Sequence, residues 1–158
     1  MQGKEPVAIM LDLNSDTLPK FKERFNAIQA NTPRKWGKLS PEDMVLHLSG
    51  ITALSLGDRT AKKIGNIFTY TIGKYLIFYV LPWPKGKIKV PEEWTPVSQM
   101  TLDAERAKLF ALMDRFVERS TREPDAIMSH PMFGDCKLKF WQRIHGKHFN
   151  HHLTQFGV

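Results

Sequence analysis

The sequence predicts an all-α fold in which four or five helices pack as a bundle within one domain, residues 1–158. Three observations support this prediction. Apolar residues recur every three or four positions in several segments, which is the spacing of one helix face. One segment opens with a full set of helix-start signals around Ser40. No segment shows the alternation of apolar and polar residues that is typical of a half-buried strand.

The first helix is expected over about residues 15–30. Ser15 or Asp16 can cap it, because a short polar side chain accepts a hydrogen bond from the free N–H groups of the first turn. Asn31-Thr32-Pro33 should end it. Four apolar residues at helical spacing would face the core: Leu18, Phe21, Phe25 and Ile28.

The second helix has the clearest start in the chain. Ser40 is a good N-cap, Pro41 suits the first helical position, and Glu42 and Asp43 add negative charge to the first turn. The apolar stripe that follows consists of Met44, Val45, Leu48, Ile51 and Leu54. His47 lies inside this stripe, so we expect its imidazole to face inward.

Residues 61–84 contain two uncharged runs, 64–73 and 75–84, separated by Lys74. A transmembrane helix needs about 20 apolar residues and a central lysine costs at least a few kcal/mol, so membrane insertion is disfavoured. We expect a core-covering helix, a lid or an interface here, followed by a loop through Pro82, Pro84, Gly86 and Pro91. Flanking lysines keep membrane-surface docking as an alternative: Lys62, Lys63, Lys85, Lys87 and Lys89.

A further helix is expected over about residues 101–120, with Glu105 and Arg106 on a charged outer face. Its apolar side would carry Leu102, Leu109, Leu112 and Phe116. Residues 122–136 are rich in Pro and Gly and are predicted to form a loop. The last helix then runs from about Trp141 to Gln155, with a solvated side that carries Lys139, Arg143 and Lys147.

Composition narrows the possible partners and compartment. The net charge of +7 and the pI of about 9.6 permit acidic partners, but the basic residues are not interleaved with aromatic ones, so nucleic acid is not an expected partner. Cys136 is the only cysteine, which excludes an internal disulfide and is typical of a reducing compartment. Met1 to Leu13 show no clear secretion signal, and a cytoplasmic protein is expected.

The histidines carry the strongest functional signal, since four of the six lie within eight residues of the last helix. At about 100° per residue, His148 and His152 point about 40° apart, on the side turned toward the core. With His47 from the second helix they would supply three inward imidazoles, a set that suits Zn²⁺, Ni²⁺ or Fe²⁺ and leaves coordination positions open. Gln155 lies on the same side, where it can hydrogen-bond near the metal.

Three residues are predicted to orient substrate or transfer protons beside this site: His145, His130 and Gln155. Each has an ordinary structural alternative. His145 can be a packing residue one turn before His148, and His130, which precedes a proline, can stabilise a turn. His151 is expected to line the rim of the site or to face solvent.

The run from His148 to Gln155 resembles the H-x-x-x-H-x-x-Q signature that closes the DinB-like (YfiT-like) metalloenzyme superfamily. The Trp36-Gly37-Lys38-Leu39-Ser40-Pro41 entry to His47 is similar to the second helix of that superfamily. His130-Pro131-Met132-Phe133-Gly134 followed by Trp141 resembles one branch of it whose function is not characterised. The resemblance implies a four-helix bundle of up-down-down-up type with an additional short helix or lid. It also implies a metal, zinc or nickel before iron or manganese, held by His47, His148 and His152, and kinship with enzymes that activate a low-molecular-weight thiol.

The function expected is that of a metal-dependent transferase or hydrolase that activates a thiol or water and acts on a small-molecule substrate. A homodimer is compatible with this expectation. One alternative is a non-catalytic binding protein with a structural metal or no metal. The other is a basic peripheral protein that binds an anionic membrane or nucleic acid through residues 62–89.

Overall fold

The computed structural model describes residues 11–86 and 92–158. Four α-helices are present in this part of the chain: α1 (Leu18–Asn26), α2 (Pro41–Leu56), α3 (Leu102–Arg122) and α4 (Leu138–Gln155). Two π-helical turns, Thr69–Gly73 and Leu76–Val80, and a 3₁₀ turn, Glu92–Trp94, lie between α2 and α3. A hairpin of β1 (Ile127–His130) and β2 (Gly134–Lys137) lies between α3 and α4. Pro91, Lys87, Lys89 and residues 1–10, on which several expectations fall, lie outside the described residues.

The hairpin overturns the all-α prediction, and with it the expected four-helix bundle of up-down-down-up type. The protein has a mixed fold of helices and a two-stranded antiparallel sheet, in which Ile127 pairs with Lys137 and His130 with Gly134. The Pro and Gly content of residues 122–136 predicted a loop. The strands were missed because each has only four residues, too few for an alternating pattern to stand out. Gly134 has a φ of 69°, a left-handed conformation that favours glycine, and so allows the tight turn into β2.

Helix α1 is shorter than predicted. The side chain of Asn14 accepts hydrogen bonds from the backbone N–H groups of Asp16, at 3.0 Å, and Thr17, at 3.1 Å. This turn delays the helix to Leu18, so the expected capping by Ser15 or Asp16 was wrong. The apolar side is confirmed, since Phe21, Phe25 and Ile28 are buried while Leu18 is partly buried.

Helix α2 begins as predicted. Ser40 is the N-cap, and its Oγ accepts a hydrogen bond of 3.1 Å from the N–H of Asp43. Gly57 ends the helix with a φ of 79°. The predicted apolar stripe is buried throughout, and His47 is buried with it.

Helix α3 also lies where it was expected, with Thr101 as its N-cap. The prediction of a charged outer face was wrong for Glu105, which is 2% exposed and accepts a hydrogen bond of 2.7 Å from Ser98 Oγ. Arg106 is partly buried and donates to the carbonyl of Ile28 at 2.5 Å. The chain segments before α2 and α3 therefore cover a face that the helical pattern alone assigns to solvent.

Residues 64–81, which we call the outer segment, lie against the beginning and middle of α4. Within it Phe78 is buried, and its ring packs edge-on against Phe133 and Phe140 at centroid distances of 5.0 and 5.6 Å. Lys147 was expected to face solvent but is buried, because its Nζ donates to the carbonyls of Ile77 and Leu81. The outer segment thus covers α4 around Lys147, whereas Lys139 is exposed as predicted.

The core lies between the four helices and continues under the hairpin. Its largest fully buried side chains include Trp141, whose Nε1 donates to the carbonyl of Met128 in β1 at 3.0 Å. This bond fixes the hairpin on α4. Across residues 11–86 and 92–158, no helix is both long enough and apolar enough to cross a membrane.

Candidate metal centre

Three histidine side chains from two helices converge at one point. Nε2 of His47, on α2, lies 3.0 Å from Nε2 of His148, on α4. Nε2 of His152, one turn further along α4, lies 3.2 Å from the same atom of His148. All three ligand atoms lie within 4.8 Å of one another. The structure therefore brings together the three residues that the sequence singled out as metal ligands.

These separations match the spacing of nitrogens around a small divalent cation. Ligand nitrogens at a distance of about 2.0–2.1 Å from zinc lie about 2.9 Å apart across a right angle and about 3.4 Å apart across a tetrahedral angle. The two separations from His148, 3.0 Å to His47 and 3.2 Å to His152, fall between these limits. The third pair, His47 and His152, lies within 4.8 Å. A cation could bind here without a large movement of either helix.

Hydrogen bonds of the Nδ1 atoms fix the tautomers of two of these histidines, His47 and His152. Nδ1 of His47 lies 2.5 Å from the carbonyl oxygen of Trp94, which can only accept, so Nδ1 carries the proton. The amide nitrogen of Gln155 donates to the carbonyl of Trp36 at 2.8 Å, which leaves its Oε1 to accept from Nδ1 of His152 at 2.8 Å. Nε2 is therefore an unprotonated lone pair in both His47 and His152.

This arrangement leaves the cluster short of protons. Nε2 of His148 can carry at most one proton, yet it faces two lone pairs at hydrogen-bond distance. At least one of the two contacts must therefore lack a proton directed between its two nitrogens. A shared cation would satisfy all three nitrogens at once, which is the strongest structural argument for a metal.

Burial keeps the three imidazoles neutral. It lowers the pKa of His152 to about 3, with a smaller effect from the nearby His47. It also lowers the pKa of His148 well below its usual value, assisted by His152 and His47, and it lowers that of His47. Neutral imidazole is the form that coordinates a metal, so no proton has to be displaced near neutral pH.

The close approach of the backbone to the Gln155 side chain explains why a glycine follows Trp36. Gly37 has a φ of 78°, and a Cβ at this position would overlap the amide nitrogen of Gln155. The backbone N–H of Lys35 also donates to the carbonyl of Gln155 at 2.7 Å. The loop before α2 therefore fixes the end of α4, and through Gln155 it fixes the ring of His152.

Two tryptophans and a histidine form the rim of the centre. The ring of Trp83 lies 5.5 Å from those of both His148 and His151, and Trp36 lies 6.0 Å from His151. The indole N–H groups of Trp36 and Trp83 are buried and have no hydrogen-bond acceptor in the part of the chain that the structure describes. His151 is partly buried, as the rim position predicted for it would require.

His145 lies in the core, where its ring packs 5.3 Å from Trp141 and 4.6 Å from Phe116. Ser55 Oγ donates to the carbonyl of Thr52, so it accepts from Nε2 of His145 at 2.8 Å. Burial lowers the pKa of His145 to about 3. These contacts favour the packing alternative, and a catalytic role for His145 stays a prediction.

His130 stabilises the turn of the hairpin. Its Nδ1 accepts hydrogen bonds from the N–H groups of Met132, at 3.1 Å, and Phe133, at 3.3 Å. Burial lowers its pKa to about 3, and its ring packs 5.0 Å from Trp141. Of the three residues predicted to assist the metal, only Gln155 has a direct hydrogen bond to a member of the cluster.

Two features of the site were missed at the sequence level. The carbonyl of Trp94 holds His47 in place, but a backbone group leaves no signal in the side-chain pattern. Arg59 lines a small cleft beside His47 and Trp94, whose other walls include Ile51 and Leu54. A cation soon after the end of α2 could have drawn attention to this position.

Comparison with known proteins places the chain in one family. The model of a family described as "Protein of unknown function (DUF1569)" matches residues 11–157, which include all three histidines of the cluster. No match was found among curated proteins or among solved structures.

Proposed function

Because the chain belongs to the DUF1569 family, whose description assigns no activity, we propose its function from the geometry of the site. The protein binds a divalent metal ion through His47, His148 and His152 and uses it in a transferase or hydrolase reaction on a small molecule. Zinc or nickel is the preferred ion, before iron or manganese. This proposal rests on one observation: the three Nε2 atoms face one another with too few protons between them.

Three protein ligands support catalysis over a purely structural metal, because structural zinc sites normally use four. A metal with open positions supplies Lewis-acid polarisation of a bound thiol, water or substrate oxygen. The resemblance to the DinB-like superfamily favours a thiol as nucleophile, with water as the alternative. A reducing, cytoplasmic location is part of the same proposal, and the buried thiol of Cys136, whose pKa burial raises to about 11, is not the nucleophile.

The protein's own groups orient this chemistry. The carbonyl of Trp94 and the amide of Gln155 hold two imidazoles with Nε2 directed at the metal position. The indole N–H groups of Trp36 and Trp83 are available to donate to an acceptor on the substrate. His151, partly buried between these two rings, is the imidazole at the rim that can exchange a proton with bound substrate.

Elemental analysis of protein purified without a histidine tag tests the metal site. We expect about one equivalent of zinc or nickel per chain, and none in the double variant His148→Ala/His152→Ala. His151→Ala is the matched control, since it removes an imidazole from the same turn of α4 and should keep the metal. Equal metal content in the double variant and the wild type would refute the assignment.

The buried positions of His47 and His152, on two different helices, favour one competing function, a metal that only braces the fold. Chelation separates the two functions. An open catalytic site should lose its metal while circular dichroism at room temperature stays native. Unfolding of the chelated protein at that temperature would instead support a brace.

A further inference from the structure

Arg59 is an exposed residue whose guanidinium turns back over helix α2. It lies three residues after Leu56, where α2 ends, and its Nη1 occupies the space of a side chain at position 50, 2.6 Å from an ideal Cβ on Gly50. Gly50 lies three residues after His47, about one helical turn away. The glycine therefore leaves the space in which the guanidinium approaches the metal centre.

The charge of Arg59 is not neutralised by an ion pair within residues 11–86 and 92–158. The neighbouring carboxylate, Asp58, is bound instead by Arg115, at 2.7 and 3.2 Å. Arg59 faces His47, and its charge contributes to lowering the pKa of that imidazole, after burial. It lines the cleft together with His47, between the apolar side chains of Ile51 and Leu54.

A guanidinium beside a metal with open positions is suited to an oxyanion. Guanidinium groups bind carboxylate or phosphate through paired charge-assisted hydrogen bonds. We propose that the substrate of the metal centre carries a carboxylate or phosphate group that the exposed guanidinium of Arg59 binds at the edge of this cleft, while the rest of the substrate extends toward the metal. The inference rests on the proposed function, because it places Arg59 relative to the three-histidine site.

Anion titration of the cobalt-loaded protein tests this inference, with acetate and inorganic phosphate as separate probes. The visible absorption of Co²⁺ reports binding near the metal. We expect at least one probe to perturb the spectrum of the wild type and to bind at least about tenfold more weakly to Arg59→Met. Whichever probe binds more tightly identifies the class of oxyanion. Gly50→Ala should weaken binding as well, because the added methyl group displaces the guanidinium.

Lys62→Met is the matched control, since it removes one exposed positive charge a few residues away without altering the cleft. It should bind the anion as the wild type does. Normal Co²⁺ binding with no response to either probe, or equal anion affinity in Arg59→Met and the wild type, would overturn the role of Arg59 and leave the metal site standing. Failure of the wild type to bind Co²⁺ would overturn both proposals.

A second inference comes from a different surface, the exposed face of the outer segment. Ile67, Ile72 and Val80 are 79%, 65% and 68% exposed. Nine of the large hydrophobic side chains that the structure shows as exposed lie in this one segment: Ile64, Ile67, Phe68, Ile72, Tyr75, Leu76, Tyr79, Val80 and Leu81. A concentration of this kind marks a binding surface rather than ordinary scatter.

The apolar face is held in a defined position. Phe78 anchors the segment in the core, and Lys147 of α4 donates to the carbonyls of Ile77 and Leu81 near its end. The segment therefore has a buried side of its own, and its exposed residues form the opposite side. Such a helix, apolar outward and fixed inward, has the form of an interfacial membrane anchor.

The charge beside the apolar face indicates what kind of partner binds there. Residues 61–86 contain no Asp or Glu, and Lys62, Lys63 and Lys85 are exposed just before and after the outer segment. One carboxylate from elsewhere, the exposed Asp135, lies 4.0 Å from Lys63. A second copy of this chain would oppose lysine to lysine in a protein of net charge +7, whereas an anionic bilayer neutralises them. We infer that the outer segment docks on the surface of an anionic membrane, with Tyr75 and Tyr79 at the headgroup level.

Co-sedimentation with phosphatidylcholine vesicles, with and without phosphatidylserine, tests the docking. We expect salt-sensitive binding that needs phosphatidylserine and is lost in Ile67→Ser/Ile72→Ser/Val80→Ser. The control Val97→Ser/Ile127→Ser removes exposed apolar side chains elsewhere and should bind normally. Absence of binding at low salt would overturn the inference, as would a dimer in analytical ultracentrifugation that the triple variant abolishes, since a second copy would then occupy the face.

Discussion

The metal centre and the outer segment invert the usual distribution of side chains in opposite ways. Between α2 and α4, imidazoles are packed inside the protein, and on the outer segment aliphatic side chains lie outside. Two of the buried imidazoles have local hydrogen-bond partners, the carbonyl of Trp94 and the amide of Gln155, which offset the cost of burying them. The aliphatic side chains on the exposed face of the outer segment are not covered by any part of the described chain. The difference is why we propose a small cation as the partner of the first region and a large surface as the partner of the second.

Lowering the pH should have the largest effect on the free energy of unfolding, and it acts through histidines buried inside the protein. Burial lowers the pKa values of His130 and His145 to about 3, so only the unfolded chain takes up protons on these residues below its own pKa of about 6.5. Their stabilisation is complete above pH 6.5 and is lost as the pH falls toward 3. We expect the free energy of unfolding to fall by about 1.4 kcal/mol per pH unit for each histidine.

Urea denaturation of the metal-free protein at a series of pH values measures this slope. His145→Gln should reduce it by about one proton, and His151→Gln should alter it less because His151 is only partly buried. A flat profile between pH 6.5 and 4.5 would contradict the neutral, buried state of these rings.

Metal binding should have the next largest effect, again confined to the inner region. A ligand present at about 1,000 times its Kd stabilises the folded state by about 4 kcal/mol. We expect Zn²⁺ to raise the free energy of unfolding of the wild type by this order and to leave His148→Ala/His152→Ala unchanged. Denaturation with and without Zn²⁺ gives the answer, and an equal gain in both proteins would mean that the ion binds elsewhere.

The fixed tautomer of His152 gives a smaller effect. Gln155→Ala removes the acceptor of its Nδ1 proton, and loss of such an outer partner costs about 10- to 100-fold in metal affinity. Competition with a chromophoric chelator measures the affinity. Gln142→Ala, on the same helix, is the control, because Gln142 hydrogen-bonds Ser120 and not the cluster. Unchanged affinity in Gln155→Ala would show that the amide does not orient the ligand.

The smallest effect on stability is expected in the outer segment. Ile72 is 65% exposed, so Ile72→Ser should change the free energy of unfolding by less than about 0.5 kcal/mol while it weakens vesicle binding. Thermal denaturation and vesicle co-sedimentation measure the two properties. A loss of several kcal/mol would mean that this side chain is buried in solution, and the contrast between the two regions would disappear.

Local signals made much of the site predictable from the sequence. Ser40 and Pro41 start α2 through contacts within one turn, and helical periodicity alone directs His47, His148 and His152 inward. The predicted separation of charged and apolar faces was wrong where another segment covers the helix. Glu105 is buried beside Ser98, which lies just before α3, and Lys147 is buried beside Leu81, which lies far from it in the sequence.

The fold class was wrong for a related reason. The two four-residue strands are stabilised by each other and by the bond from Trp141 to the carbonyl of Met128, not by a pattern within either strand. The carbonyl of Trp94 and the position of Arg59 also depend on tertiary structure. Periodicity therefore predicted that the three histidines face inward, but it predicted neither the hairpin nor the positions of the Trp94 carbonyl and Arg59.

The bond from Lys147 to the outer segment has a mechanical consequence. One ammonium group ties two carbonyls near the end of the segment to α4, and the next residue of that helix is His148. Trp83, just beyond the tether, rests against the ring of His148. A single side chain and one residue of helix thus connect the exterior of the protein at this point to the central imidazole of the three.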